Sequence, residues 1–439
     1  MPAPLLTIET TVDLPRTADV VVIGGGIVGC ATAYYLARKG VAVALLEKGR
    51  IGAEQSSRNW GWCRQQNRDA RELPMATRSL DLWATLARDI GEDPGFRRSG
   101  LLYLSNDEAE IAGWARWRDM ARGLGVTSHV LGAAEARTRG AVTNRDWLGG
   151  VFSPDDGIAD PSRACPVIAR GIMNAGGTVH QNCAARGLET EAGRVSGVVT
   201  EHGTIRTGVV VMAGGAWASS FCHQQGLGFP QASVRSSIMS VGPGVEGPDA
   251  LHTGPVSLTR RGDGGYTLAI SGNARVDPTP QQIRYAKHFL PMFAKRWRVL
   301  RPGGTEGWCS GHETRAKWAL DRETPMERMR ILDPTPDAAT IRLTHQRACA
   351  LIPGMARATV QASWAGYIDS TPDGVPAIGE TSLPGFVLAA GFSGHGFGIG
   401  PGAGEMIAAM VTGETPLIDP AAYHPERFST SSWGKVSDF

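Results

Sequence analysis

No stretch of the 439-residue chain approaches the roughly eighteen uninterrupted apolar residues that a membrane-spanning helix needs, and no basic segment followed by an apolar core opens it. The expectation is a cytoplasmic protein without a transmembrane helix or secretory signal. An excess of one charge is also missing. Lys and Arg outnumber Asp and Glu by 44 to 42 and the arginines are scattered, which predicts attraction to neither nucleic acid nor a membrane surface. The seven cysteines, Cys30, Cys63, Cys165, Cys183, Cys222, Cys309 and Cys349, are odd in number and widely spaced, with no CxxC pair. That usage suits a reducing compartment and offers no zinc site, so no metal is expected. No repeat or low-complexity tract stands out.

What is present begins at residue 20. The apolar run Val20 to Ile23 leads into Gly24, Gly25 and Gly26, then Ile27, Val28 and Gly29. A buried strand that passes through a glycine turn into a helix binds a dinucleotide pyrophosphate. Gly24 permits the tight turn, Gly26 lets backbone approach the phosphates, and Gly29 lets the helix pack on the strand. The free N–H groups and partial positive charge of the helix start supply the anion site, while Ala31, Ala33, Leu36 and Ala37 keep its sheet-facing side small. A second strand over 41–46 ends at Glu47, eighteen residues after Gly29. A carboxylate there accepts from both ribose hydroxyls of an adenosine and repels a 2′-phosphate. A lone GxGxxG is weak, but here strand, turn, helix, strand and acid follow in order. Ile27, Val28 and Lys48 join the expected cofactor-binding set.

At this length two domains are expected. The spacing predicts helices over 68–90 and 107–122 with a strand over 97–104 between them. A turn at 152–161 leads into a helix over 163–175, capped by Asp160 or Ser162, and then a strand over 178–183. Residues 195–199 and 208–212 read as a hairpin-like pair. Further strands are expected at 237–241, 266–270 and 387–390, with a closing helix over 402–412. Residues 275–340 are richer in Arg, Trp and Pro, with helical patches at 280–300 and 321–330. They read as an insertion, serving either as a lid or as a surface elaboration or subunit contact.

The glycine turn alone allows NAD or FAD. Residues 209–217, with Ala213, Gly214 and Trp217, resemble the second strand-and-glycine signature of FAD-dependent oxidoreductases. Residues 364–379, followed by 391–397, resemble the C-terminal flavin-binding portion of the D-amino-acid oxidase, glycine oxidase and sarcosine oxidase family. The resemblance runs in order from residue 20 to about 412. It implies an α/β architecture: a Rossmann-like FAD-binding domain of the glutathione-reductase type, formed by 1–90, 150–228 and 362–439. A second α+β substrate domain, built on an antiparallel sheet, takes 91–149 and 229–361. By the same resemblance Ser56, Ser57 and Arg58 lie along the flavin or its phosphates, and Ala184 meets the adenine side through backbone. Gly394, His395, Gly396, Phe397 and Gly398 form the loop at the flavin's pyrimidine edge. The positive end of the helix that follows, expected near Pro401, favours reduced flavin.

The family oxidises a C–N bond, so the resemblance implies an amine or amino-acid substrate, FAD, and dioxygen, a quinone or a carrier protein as acceptor. The cofactor carries the hydride step, and the protein supplies position, dryness and field. A flavin-binding assembly subunit without its own catalysis is a further alternative, an NAD-linked dehydrogenase another, and the oligomeric state is open. Two departures matter. Glycine and D-amino-acid oxidases carry an arginine where this chain has Tyr367, Ile368 and Asp369, and sarcosine oxidases carry a lysine where Gly398 stands. No cysteine lies near Trp364, which implies non-covalent FAD. Arg64 is the substitute carboxylate anchor, with an ordinary salt bridge as the alternative. Trp60 and Trp62 wall the pocket or fill core, and Tyr266 is a candidate donor to a substrate oxygen. His395 touches cofactor or substrate, or makes a structural hydrogen bond. Asp369 is a candidate for facing a cationic substrate. His312 and Glu313 read as a charged surface turn.

Overall fold

The computed structural model describes residues 3–309, 317–429 and 436. His312 and Glu313 lie outside the described residues. Two large sheets organise the rest. The first has six strands in the order Ala377–Glu380, Phe386–Ala390, Val209–Met212, Val20–Ile23, Val43–Leu46, Thr178–His180. All neighbours are parallel except the first pair. The Val20–Ile23 strand is buried on both faces, as a central parallel strand must be. Val20 and Val22 join one core cluster, with the helices Ile27–Arg38, Leu73–Ile90, Ala164–Asn174 and Gly396–Val411. Val21 and Ile23 join another, beneath the three-stranded meander Ala185–Glu191, Arg194–Thr200, Gly203–Arg206.

The second sheet has ten strands. Its spine is Ala232–Val241, paired antiparallel with Val360–Ser370 on one side and with Tyr266–Ala269 on the other. It is antiparallel except where Ala250–Thr253 meets Leu101–Ser105 and Ala274–Val276 meets Leu300–Pro302. The second sheet thus begins in the chain before the first is complete. The FAD-binding segments expected from the sequence take in residues 150–153 and 362–370, but the strands Gly149–Ser153 and Val360–Ser370 belong to this second sheet.

Three local expectations are corrected. Val195–Val199 and 208–212 do not pair: the former sits in the meander and Val209–Met212 adds in parallel to Val20–Ile23. Two nearby apolar runs suggest a hairpin locally, but a vacancy beside a central strand is filled from anywhere in the chain. Asp160 does not cap the helix start through its side chain. Its Oδ1 accepts from Ser162 N–H at 2.8 Å and Oγ–H at 2.6 Å, an Asx-type turn, while its carbonyl receives Ala164 N–H. The closing helix starts at Gly396, not near 401, so Pro401 lies inside it.

Candidate functional site

A cavity runs from the end of the Val43–Leu46 strand across the glycine turn to the loop before the Gly396–Val411 helix. At its first end Glu47 is fixed by two backbone donors, Gly25 N–H to Oε2 at 2.8 Å and Gly49 N–H to Oε1 at 2.7 Å. Burial pushes its carboxyl upward, with Lys48 opposing. A carboxylate has about four acceptor positions, so two remain for ribose hydroxyls. Gly24 holds φ +111°, and a Cβ there would lie 2.4 Å from the Ala213 carbonyl, so two strand ends touch backbone to backbone at this point. A Cβ at Gly29 would lie 1.9 Å from the Gly24 carbonyl, which is why the helix sits so close.

Ser56 Oγ accepts from Ile27 N–H at 2.9 Å. Gly26 and Val28 line the cavity, and their N–H groups make no hydrogen bond among the described residues. These unspent donors at a helix start, above a glycine that leaves room, fit a pyrophosphate. Lys48 and Trp217 line the same stretch: Lys48 Nζ lies 4.4 Å from the Trp217 ring centre and donates to Glu54 at 2.5 Å. Lys48 also donates to the Met329 and Arg330 carbonyls at 3.0 and 2.9 Å, and Met326 completes the wall, so the segment after 317 closes over this end.

At the other end the lining includes Tyr367, Asp369, Gly394, Gly396 and Phe397. Asp369 pins the loop that carries the glycines. Its Oδ2 accepts Gly391 N–H at 2.7 Å, and its carbonyl accepts Ser393 N–H at 2.7 Å. Burial raises its carboxyl to about 6 despite those bonds. Its charge is thus spent on backbone, which leaves little for the cationic substrate considered from sequence. The helix beyond is buttressed where Pro401 interrupts it: Gly402 N–H turns to Ser79 Oγ at 2.9 Å, and the Gly398 carbonyl receives Trp83 Nε1–H at 3.0 Å.

Behind that loop polar side chains pack together around His395. His395 Nδ1 meets Glu72 Oε1 at 3.3 Å, and Glu72 is fully buried. Burial, with Arg68 next, lowers His395 to about 4. The ring is therefore neutral at pH 7; with Nδ1–H donating to Glu72, Nε2 is left as an acceptor. Arg64 Nη1 donates to the Tyr103 hydroxyl at 2.6 Å and the Gln66 carbonyl at 3.0 Å. Trp62 packs edge-on against both Trp60 and His252, and Tyr103 lies 5.0 Å from the His252 ring. Arg68, Glu72, Tyr103 and His252 are not singled out by the sequence, since nothing local distinguishes them.

Several expected site residues lie elsewhere. Tyr266 is fully buried in the second sheet's core and donates to the Pro248 carbonyl at 3.2 Å, outside the cavity lining. Arg58 is committed to protein, donating to the Ala365 carbonyl at 2.7 Å, the Ala53 carbonyl at 3.0 Å and Asp333 at 2.5 Å. Ser57 is buried and donates to the Glu54 carbonyl. Ala184 gives its N–H to Glu201 at 2.7 Å, and its neighbours Cys183 and Ala185 line the cavity instead. Gly398 faces backbone: a Cβ there would lie 2.8 Å from the Trp62 carbonyl. Arg64 and His395 belong to the same polar cluster, and neither lines the cavity. Among the described residues no cluster of metal-binding side chains forms, and no helix is long and apolar enough to cross a membrane.

A family model described as FAD dependent oxidoreductase matches residues 19–410. Mitochondrial sarcosine dehydrogenase of Mus musculus is 28% identical over 437 residues, covering 95% of this chain and 42% of that protein. The chain thus spans about two fifths of the sarcosine dehydrogenases it matches. Sarcosine oxidase subunit beta of Rhizobium meliloti is 26% identical, over 93% of this chain and 88% of that one. Among solved structures, L-amino acid deaminase from Proteus myxofaciens, in complex with anthranilate, superposes with a TM-score of 0.92 at 29% identity, covering 97% of each chain.

Proposed function

The chain belongs to the FAD-dependent oxidoreductase family, and on that premise we propose that it oxidises the C–N bond of an amino acid or N-substituted amino acid to an imine, which water hydrolyses to a carbonyl compound and an amine. The observation that carries this reading is the continuity of one cavity from Glu47, past the free N–H groups of Gly26 and Val28, to the loop backed by Arg64 and His395. Bound FAD supplies the two-electron acceptor for the hydride. The chain's own residues do the rest. Glu47 selects the adenosine, Asp369 fixes the loop beside the flavin, and the neutral His395 keeps an acceptor nitrogen near a substrate amine without charging it. Trp62, Tyr103 and Trp114 form a buried apolar cluster beside these polar groups and keep water from them.

The relatives named above include both a dehydrogenase and an oxidase subunit. One observation favours a dehydrogenase passing electrons to a quinone or carrier protein. Backbone of Trp62 and Cys63 fills the space beside Gly398, where sarcosine oxidases place a lysine, so no basic side chain fits there. The absence of a cysteine near Trp364 supports non-covalent FAD, and the free thiols of Cys30, Cys63, Cys165, Cys183, Cys222 and Cys349 accord with a cytoplasmic setting. The test is product analysis with N-methylglycine, proline and primary amino acids, with a redox dye or air as acceptor. Carbonyl product in step with dye reduction, and little peroxide in air, is the expected result. No carbonyl product with any of these compounds contradicts the reading.

A further inference from the structure

The helix Pro280–Arg296 packs against the second sheet through its polar side. Gln281 and Tyr285 are its buried residues. Gln281 Nε2 donates to the Gln231 carbonyl at 3.0 Å, Gln282 Nε2 donates to the Ser233 carbonyl at 2.6 Å, and the Tyr285 hydroxyl accepts Phe229 N–H at 3.2 Å. Thr279 caps the first turn, its Oγ1 accepting Gln282 N–H at 3.2 Å. These bonds fix how the helix is rotated about its axis, and that rotation turns its apolar residues outward. Ile283, Leu290, Phe293 and, just past its end, Trp297 are 58, 50, 56 and 56% exposed. At about 3.6 residues per turn the four fall within an arc of roughly 80°, so they form one ridge.

A surface helix ordinarily does the reverse, with its apolar stripe on the core and its polar side in water. An exposed apolar ridge held in place by polar anchors marks a surface that meets something else. Charge indicates what it meets. Residues 280–305 hold six basic side chains, Arg284, Lys287, Lys295, Arg296, Arg298 and Arg301, and no Asp or Glu, although over the whole chain the two signs nearly balance at 44 to 42. Lys287, Arg298 and Arg301 are exposed. A second copy of the chain on this face would set like charges against each other across a two-fold contact. An anionic lipid surface satisfies both features. Leu, Phe and Trp side chains enter the boundary between headgroups and acyl chains, while the long Lys and Arg stems reach back to the phosphates. No described helix is long and apolar enough to cross a membrane, so this one would lie along the surface.

We propose that the outward face of the Pro280–Arg296 helix docks the protein peripherally on an anionic phospholipid bilayer. The inference goes beyond the C–N oxidation reading and does not depend on it; it places the chain where a quinone acceptor dissolves. The test is flotation of the FAD-loaded protein with vesicles of phosphatidylcholine alone and of an equal mixture of phosphatidylcholine and phosphatidylglycerol. Wild type is expected to float with the mixed vesicles and to bind them roughly tenfold or more tightly than the neutral ones, since each basic side chain at an anionic surface contributes about fivefold. Phe293→Ser combined with Leu290→Ser, and separately Lys287→Glu combined with Arg298→Glu, should each lose tenfold or more in vesicle binding. Both variants change exposed side chains, so FAD content and melting temperature should hold. Quenching by brominated lipid reports the place of contact: it should fall in Trp297→Phe, which still floats. Wild type that binds neither vesicle overturns the proposal, as do variants that float like wild type or quenching that Trp297→Phe leaves unchanged. Self-association that Phe293→Ser and Leu290→Ser abolish, without vesicle binding, would assign the ridge to a second copy and overturn it as well.

Discussion

Glu47 and His395 show what single side chains do at the two ends of the cavity. Glu47 spends one acceptor position on Gly25 of the glycine turn and one on Gly49 just beyond its own strand, which leaves two for the proposed ribose contact. Glu47→Ala removes both functions, and each charged hydrogen bond contributes about 1.5–3 kcal/mol. FAD affinity is expected to fall by at least tenfold, measured by fluorescence titration of the apoprotein. His395 carries a pH signature. Its folded value of about 4 lies below the ordinary 6.5, so between those limits the unfolded chain binds more protons and stability falls as pH drops. Glutamine at this position does not titrate. The wild-type stability relative to His395→Gln should decline by on the order of 3 kcal/mol from pH 6.5 to 4, read from denaturant unfolding at each pH. Asp369, raised to about 6, acts in the opposite sense between about 3.8 and 6, which is why the difference between variants is the informative quantity.

At the scale of elements, the glycine turn was legible because everything it needs is local: β-branched strand, glycines, small helix face and acid lie within one βαβ unit. The flavin helix was only half legible. Pro401 signals a helix start by local rules, but Ser79 and Trp83 of another helix satisfy the groups it disturbs, so the helix begins at Gly396. The polar cluster around His395 was not legible for the same reason. Glu72 and His395 are 323 residues apart, and no periodicity announces such a meeting. The insertion expected at 275–340 had no assignable role from sequence, yet part of it closes the adenosine end. Arg330 pairs with Glu201 and donates to the Lys48 carbonyl at 3.0 Å, while Leu332 N–H reaches Glu54 at 3.0 Å. Arg330→Ala should therefore speed FAD release several-fold, followed by flavin fluorescence after dilution, with the melting temperature of the apoprotein little changed.

For the whole molecule, the two sheets share the work of one site. The parallel sheet supplies the dinucleotide end through its strand tips, as open α/β sheets do. The second sheet supplies Tyr103, His252, Tyr367 and Asp369 from strands far apart in sequence. The strand Val360–Ser370 links them, since it pairs along the whole of Ala232–Val241 and its last residues line the cavity. This arrangement is the structural basis of the proposed amine oxidation. The direct test is anaerobic: the FAD-loaded protein is mixed with carboxylate-bearing primary and N-methyl amines in turn, and the visible flavin absorbance is recorded. Bleaching by at least one such amine, and by none lacking the carboxylate, is the predicted result. A protein that takes up no FAD, or flavin that stays oxidised with every amine offered, would contradict the account.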